Sequence, residues 1–138
     1  MVLKADFEII EHNTLLTKWA KGIILLNEVK DIMEHMLLLI EKNNMIHYID
    51  DISECEVDWV EADIWIVNDW YPRALALNVK KNALIVPDGI IMEHKDDQCE
   101  IKSFNNLEKA IIWINSSEEN LSAFKLSQWI NSKIKKLF

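Results

Sequence analysis

The chain has 138 residues, half of them hydrophobic, and it carries a formal net charge of −8. This length is typical of one domain, and the apolar content is too high for a disordered chain. Because an acidic surface repels phosphate backbones, the charge argues against general nucleic-acid binding.

A β-hairpin is predicted near the start of the chain. Residues 7–11 and 14–21 alternate between apolar and polar side chains, as half-buried strands do. His12 and Asn13 lie between them and predict a two-residue turn, because asparagine readily takes a positive φ. The alternation places three residues of the second strand on one face: Leu15, Thr17 and Trp19. Gly22 ends the hairpin.

An amphipathic helix and a short strand are predicted next. Asn27 is the expected N-cap of the helix, and Asn43 and Asn44 are expected to end it. Its apolar residues recur at helical spacing: Val29, Ile32, Met33, Met36, Leu37 and Ile40. Residues 45–50 then predict a strand, at whose end lie the adjacent acids Asp50 and Asp51.

The middle of the chain predicts a helix that a proline interrupts. Asp58 and Glu61 have the spacing of a capping box at its start. The predicted apolar stripe consists of Trp59, Ala62, Ile66, Val67 and Trp70. Pro72 lies inside this pattern and should kink or divide the helix, because it lacks the N–H and crowds the preceding turn. Residues 83–86 form an unbroken apolar run, which is typical of a central parallel strand covered on both faces.

The remaining chain predicts a weak helix over residues 90–97, a strand over 100–104 and two further helices. Asn105 is the expected cap of the first of these, whose apolar residues are Leu107, Ala110, Ile111 and Ile114. The last helix is expected to begin near Ser116 or Ser117. Strands that alternate with helices predict a mostly parallel α/β sheet with the hairpin as its antiparallel edge.

Several short motifs in this order resemble the SpoIIAA-like, or STAS-like, small stand-alone domains. The residues that carry the resemblance are 19–22, 49–51, Trp65, 68–74 and 83–87. The resemblance covers about residues 5–117 and implies a mixed, mostly parallel sheet of four to five strands with helices packed against it. We therefore expect a STAS-like α/β domain over residues 1–117, followed by an extra amphipathic helix over residues 118–138.

The resemblance implies a function in binding rather than in catalysis. Within the wider fold, anti-sigma-factor antagonists bind a kinase partner and are phosphorylated on a Ser or Thr at a helix start, and CRAL-TRIO domains hold lipids. Here that helix start is Val57, Asp58 and Trp59, without a hydroxyl, and Ser53 lies several residues earlier. We expect a protein partner or self-association, and no phosphorylation switch at Ser53. The alternative is a carrier of a small apolar or lipid-like ligand.

Polar residues follow the predicted parallel strands at one edge of the sheet. Asp50, Asp51, Asp88 and Asn105 occupy these positions, where ligands of open α/β sheets bind. Three carboxylates at one rim could hold Mg²⁺. The simpler interpretation is that these acids cap turns and helix starts. We expect no metal and no cofactor.

Tryptophan and arginine supply the other candidate binding residues. Trp59 and Trp65 lie about 120° apart around one helix, so both cannot occupy the centre of one buried stripe, and an exposed Trp is typical of an interface. Arg73 could hold a partner carboxylate, or it could form an internal ion pair with Asp69, four residues earlier. The full set of candidate binding residues is Trp65, Trp70, Arg73, Asp50, Asp51 and Asp88.

Catalytic motifs do not emerge from the sequence. It contains no His-Glu-x-x-His motif, and its two glycines, Gly22 and Gly89, cannot build a phosphate-binding loop. Cys55 and Cys99 form no C-x-x-C pair, which is typical of reduced thiols in a cytosolic protein. The longest apolar runs are too short to cross a bilayer. We expect a cytoplasmic protein without enzymatic activity.

The predicted C-terminal helix combines an apolar stripe with a basic cluster. Its large apolar residues are Leu121, Phe124, Trp129, Ile130, Ile134, Leu137 and Phe138. Lys133, Lys135 and Lys136 supply the positive charge. Such a helix can lie on a membrane surface, or it can dock on its own domain or on a second copy. The cluster is small and the rest of the chain is acidic, so docking is favoured, with Phe124, Trp129 and Ile130 buried.

Overall fold

The computed structural model describes residues 2–87, 93–95 and 98–116. In chain order the strands are β1 (Ala5–Ile10), β2 (Thr14–Trp19), β3 (Gly22–Ile23), β4 (His47–Asp51), β5 (Cys55–Glu56), β6 (Lys81–Ile85), β7 (Glu93–Lys95) and β8 (Glu100–Phe104). The helices are α1 (Leu26–Asn43), α2 (Trp59–Trp65), a π-helical segment (Ile66–Trp70), α3 (Tyr71–Ala76) and α4 (Leu107–Asn115).

A mixed sheet of six strands organises the domain. Its order is β1-β2-β4-β6-β8-β7, with parallel pairing from β2 to β8 and an antiparallel strand at each edge. The predicted fold class, a mostly parallel sheet with an antiparallel N-terminal hairpin, is therefore confirmed. The sheet has more strands than the predicted four to five. β7 is the unexpected edge strand. The weak helix predicted over 90–97 is therefore wrong at residues 93–95. So short a strand forms only through its hydrogen bonds to β8, and the local sequence pattern does not show this pairing.

The hairpin of β1 and β2 has the predicted faces but a longer turn. Ile10 pairs with Thr14, so three residues connect the strands rather than two. His12 and Asn13 both take positive φ, at 63° and 53°. Leu15 pairs with Ile9 on the face that α1 covers, so the core sets this register and the turn adapts to it.

Helix α1 buries all six of the apolar residues predicted for its inner face. It begins two residues earlier than expected, and Leu25 rather than Asn27 is its N-cap. Glu28 stabilises this end, because its carboxylate accepts the backbone N–H of Leu25 at 3.0 Å. At the other end Asn44 takes a left-handed conformation with φ 52°, which ends the helix where predicted.

The proline-containing helix is divided as the sequence predicts. Asp58 caps α2, and its side chain accepts the N–H of Glu61 at 3.2 Å. The π-helical segment lies between α2 and α3, and Pro72 is in the first turn of α3, where its missing N–H costs little. The wider π turn rotates the residues in it relative to an ideal α-helix. Val67, predicted on the buried stripe, is therefore exposed.

Helices cover both faces of the sheet. Helix α1 and the divided helix pack on one face with the larger core cluster. On the other face, α4 packs on β4, β6 and β8 through Ile49, Ala83, Ile85, Ala110 and Ile114. β6 lies between β4 and β8, as the apolar run at 83–86 predicts. The cap of α4 is Asn106 rather than Asn105, because its side chain is the one that accepts the N–H of Lys109.

Lys81 is a buried lysine that holds the C-terminal end of α4. Its ammonium donates to the carbonyl oxygens of Trp113 at 2.9 Å and Ser116 at 2.6 Å, and it lies 4.8 Å from the Trp113 ring centroid. A cation is favourable at this negative end of the helix dipole. The predicted helix over 118–138 lies outside the described residues. Among the helices that are described, none is both long and apolar enough to span a membrane.

Replacing Lys81 with methionine should destabilise the domain. Methionine retains the apolar stem but removes the donor to two helix carbonyls, so we expect a loss of about 1–3 kcal/mol in the free energy of unfolding. Urea denaturation measures it. Lys80→Met is the matched control, because the side chain of Lys80 is exposed and its loss should change stability by less than about 0.5 kcal/mol. Equal midpoints for both variants would show that Lys81 does not stabilise the C-terminal end of α4.

Candidate functional site

A wide hollow lies at the carboxyl end of β4 and β6, which we call the carboxyl-edge hollow. It has a volume of ≈570 Å³ and is open to solvent. The residues that line it are Ile23, Ile52, Cys55, Glu56, Val57, Asp58, Trp59, Val86 and Pro87. This is the edge at which open α/β sheets bind their ligands.

The short pairing of β3 with β5 builds one wall of the carboxyl-edge hollow. Gly22 donates its N–H to the carbonyl of Glu54 at 3.2 Å, and Ile24 donates to the carbonyl of Glu56 at 3.0 Å. Gly22 has a φ of +100°, a conformation that side chains rarely permit. The glycine therefore allows the chain to turn from the hairpin and hold the loop between β4 and α2.

A series of contacting side chains, joined by hydrogen bonds and an aromatic contact, lies beneath the carboxyl-edge hollow. Trp59, which lines it, contacts Trp19 edge-to-face with ring centroids 5.7 Å apart. The Trp19 indole N–H donates to Asp50 Oδ1 at 3.0 Å, and the Asn82 amide donates to Oδ2 at 3.4 Å. Asp50 is only 4% exposed, and burial raises its pKa to about 6 although both hydrogen bonds lower it. A carboxyl group with a raised pKa thus contacts an aromatic pair that reaches the surface.

The acids predicted at this rim do not converge. Asp50 and Asp51 are adjacent in a strand and therefore point to opposite faces of the sheet. Asp51 caps a turn, as expected, because it accepts the N–H and hydroxyl of Ser53 at 3.1 and 2.6 Å. Asn105 is exposed, and Asp88 lies outside the described residues. Within residues 2–87, 93–95 and 98–116, no group of three or more His, Cys, Asp or Glu side chains could hold a metal ion.

The two candidate tryptophans have different environments. Trp70 is buried, donates its indole N–H to the carbonyl of Met33 at 2.7 Å, and contacts Tyr48 with centroids 5.5 Å apart. It therefore stabilises the core and presents almost no surface to a partner. Trp65 is half-buried, and the ammonium of Lys30 lies 5.6 Å from its ring centroid.

Arg73 joins α3 to α1 instead of facing solvent alone. Its Nε lies 2.9 Å from Asp69, which is the internal ion pair that the sequence offered as the alternative to a binding role. Its two terminal nitrogens also donate to both carboxylate oxygens of Glu34. The guanidinium is thus already paired with two carboxylates. These pairs are exposed, so each contributes about 1 kcal/mol or less.

The outer face of the divided helix carries an apolar stripe that the sequence reasoning missed. Val60, Ile64 and Val67 are 81%, 65% and 62% exposed. We call these three residues the outer stripe. Their spacing of four and three residues is helical and was the available signal, but Val67 was assigned to the buried stripe of the same helix. Trp19 and Asn82 were also missed as partners of Asp50, because sequence alternation does not show which strands lie side by side.

The part of the chain that carries the outer stripe is rich in negative charge. Residues 43–72 contain eight Asp or Glu residues and no Lys or Arg. Six of these acids are exposed: Glu54, Glu56, Asp58, Glu61, Asp63 and Asp69. The surface formed by the outer stripe and the carboxyl-edge hollow is therefore both apolar and anionic.

No disulfide joins Cys55 and Cys99. Cys55 is half-buried beside the carboxyl-edge hollow, and Cys99 is buried. Burial raises the pKa of the Cys55 thiol to about 11, and the nearby carboxylates of Asp50 and Asp51 add to this effect. A thiol with such a pKa stays protonated at neutral pH and is a poor nucleophile.

Comparison with known proteins shows that this chain is similar to others in its fold. No protein-family model and no curated protein matches the sequence. The anti-sigma factor antagonist SpoIIAA in its unphosphorylated form has a similar structure, with a TM-score of 0.54 and 13% identity over 78% of this chain and 94% of SpoIIAA. An uncharacterized SpoIIAA-like protein of the DUF3478 family from Shewanella loihica PV-4 matches with a TM-score of 0.42 and 16% identity, over 80% of this chain and 91% of that protein. This chain therefore has a SpoIIAA-like α/β fold.

Proposed function

We propose that this chain is a non-enzymatic interaction domain of the STAS type, which binds a protein partner through the outer stripe and the carboxyl-edge hollow. The observation that carries the proposal is the exposure of three large apolar side chains on one face of a helix. Single exposed apolar residues are ordinary, but a contiguous apolar patch with a polar rim is typical of a protein–protein interface. The SpoIIAA-like fold supports a regulatory or binding role.

The charge around the patch indicates the chemistry of the partner. Because the exposed rim is anionic, a segment that combines Lys or Arg with apolar side chains would complement both properties of the surface. An amphipathic helix with basic flanks has this character. Acidic partners and phosphate backbones would be repelled. Association should therefore weaken as ionic strength rises.

A phosphorylation switch at Ser53 is not part of the proposal. Its hydroxyl donates to Asp51, and Glu54 follows it directly, so a phosphate there would be placed among like charges. The helix start is Asp58, which already supplies a negative charge at the positive end of the α2 dipole. The prediction that Ser53 is not a regulatory site of the antagonist kind thus stays a prediction, with a physical reason.

Site-specific photocrosslinking in the native host tests the proposal. A photoreactive amino acid at Ile64 should yield a discrete covalent adduct with one protein, whose crosslinked segment is basic and amphipathic. The same amino acid at Leu38 is the matched control, because Leu38 is 64% exposed on α1 but lies outside the proposed surface. Adducts of equal yield at both positions, or none at position 64, would refute the proposal. An adduct of twice the chain mass would identify a second copy as the partner.

Affinity measurements with the captured partner give the magnitude. Ile64→Asp should weaken binding at least tenfold, about 1.4 kcal/mol or more, because it places a charge in the apolar patch. Its melting temperature should stay close to that of the native chain, because the residue is mostly exposed. Leu38→Asp should leave the affinity unchanged. Equal affinities for both variants would contradict the proposed surface.

A carrier function is the second candidate. The apolar residues that line the carboxyl-edge hollow favour it. Its volume of ≈570 Å³ suits a small apolar ligand. It is nevertheless open, whereas binding sites usually bury most of the surface of their ligand. Native mass spectrometry of protein purified from its own host distinguishes the two functions, because a carried ligand would add a constant small mass.

A further inference from the structure

A second apolar groove lies on the opposite face of the sheet, beside α4. It has a volume of ≈270 Å³, and we call it the α4 groove. Its apolar lining consists of Ile10, Leu16, Leu107, Ile111 and Ile114, and Glu8, Glu11, Thr14 and Asn115 complete it. Leu107 is the most exposed of the apolar lining residues. The α4 groove is separate from the surface proposed to bind a partner.

The α4 groove exists because α4 covers only part of the sheet. Helix α4 packs on β4, β6 and β8, and in the described part of the chain no helix lies over the same face of β1 and β2. Glu8 pairs with Leu16, and Ile10 with Thr14, so these residues share that face. The α/β architecture normally covers both faces of a sheet with helices, and the described helices leave this half of one face uncovered.

The chain leaves α4 at the edge of the α4 groove. Asn115, the last residue of α4, is part of the lining, and the next residue, Ser116, is held in place. Its carbonyl accepts from the Lys81 ammonium at 2.6 Å, and its hydroxyl donates to the carbonyl of Trp113 at 2.6 Å. Asn115 and Ser116 therefore bring the chain close to β2, at the end of the sheet where Thr14 begins that strand.

The segment that follows has the length and chemistry to fill the α4 groove. A helix made of most of its 22 residues would be about 30 Å long, whereas a six-residue strand spans about 20 Å. Residues 117–138 contain four lysines and two glutamates, a net charge of +2, so the rest of the chain carries −10. Apolar residues at helical spacing would face the groove, and the lysines could approach Asp6, Glu8 and Glu11.

We propose that residues 117–138 fold back antiparallel to α4 and dock as a helix in the α4 groove over β1 and β2. The docked segment completes the helical layer on this face of the sheet. Docking also removes the apolar stripe of the segment from water, which at about 1.5–3 kcal/mol per large side chain offsets the entropy of ordering it. The occupant is a segment of the same chain rather than a second copy.

Hydrogen exchange of the full chain, followed by mass spectrometry, tests the proposal. Peptides from residues 117–138 should exchange roughly 100-fold more slowly than the same peptides free in solution, because docked helical amides are protected. Leu16→Glu should abolish this protection by placing a charge in the groove. Ile112→Glu is the matched control, because Ile112 is 64% exposed on α4 and does not line the groove. It should leave the protection intact.

A charge-reversal variant keeps the test decisive if Leu16→Glu fails to fold. Glu8→Lys combined with Glu11→Lys changes only exposed side chains and should still accelerate exchange in residues 117–138 severalfold. Unprotected amides in the native chain would overturn the proposal. Protection that rises with protein concentration, together with a dimer mass in native mass spectrometry, would assign the groove to a second copy and would also overturn it.

Discussion

Replacement of Trp70 with alanine should lower the free energy of unfolding by about 4 kcal/mol, because it leaves a large cavity in a closely packed core. Trp70 is among the largest fully buried side chains of the domain. It contacts Tyr48 edge-to-face and donates its indole N–H to the carbonyl of Met33, so it links the π-helical segment to both β4 and α1. Urea denaturation followed by circular dichroism measures the loss.

Trp70→Phe separates the packing of this residue from its hydrogen bond. Phenylalanine retains much of the apolar volume but removes the indole donor to Met33, so we expect a smaller loss of about 1–2 kcal/mol. The order of stability should be native, then Trp70→Phe, then Trp70→Ala. A loss below about 1 kcal/mol for Trp70→Ala would contradict its place in the core and restore it as a candidate binding residue.

The second large effect is on the pH dependence of stability, to which Asp50 and His47 on strand β4 contribute in opposite directions. Burial raises the pKa of Asp50 to about 6, so between pH 4 and 6 the folded state binds more protons than the unfolded state. Stability from this group therefore falls as pH rises through that window. Burial, helped by the nearby charge of Lys81, lowers the pKa of His47 to about 4. Stability from His47 is therefore lost as pH falls from 6.5 to 4, and the two slopes oppose each other.

Single substitutions should separate the two slopes. For each group, a difference of this size between the pKa values of the folded and unfolded states corresponds to about 2–3 kcal/mol. Asp50→Asn keeps an acceptor for the indole N–H of Trp19 and retains only the pH dependence that His47 contributes. The stability of this variant relative to the native chain should therefore rise by about 2 kcal/mol between pH 4 and 6.5. His47→Gln should change in the opposite direction by a similar amount. Urea denaturation from pH 4 to 7.5 gives both curves.

The native chain is the reference for this experiment. Comparing each variant with the native chain cancels the contribution of the surface carboxylates. If the Asp50→Asn and His47→Gln curves both run parallel to the native curve, neither group has the perturbed pKa that its burial implies.

Much of the fold follows from local patterns that the sequence contains. The six apolar residues of α1 recur at helical spacing, and all six are buried. Asn44 ends α1 and Asp58 begins α2 through backbone and side-chain geometry that involves only near neighbours. Pro72 divides a helix because its ring and missing N–H act within one turn. These features depend on residues a few positions apart, so the sequence alone predicts them.

The tertiary structure decides where the candidate site forms. Alternation along β4 separates Asp50 from Asp51, but only the neighbouring strands bring Trp19 and Asn82 to Asp50 and turn a predicted rim acid into a buried one. Likewise, the π turn exposes Val67, and pairing with β8 makes a strand of Glu93–Lys95. The physical reason is the same in each case. Burial and pairing depend on groups far apart in the chain, whereas periodicity and capping depend on the nearest turn.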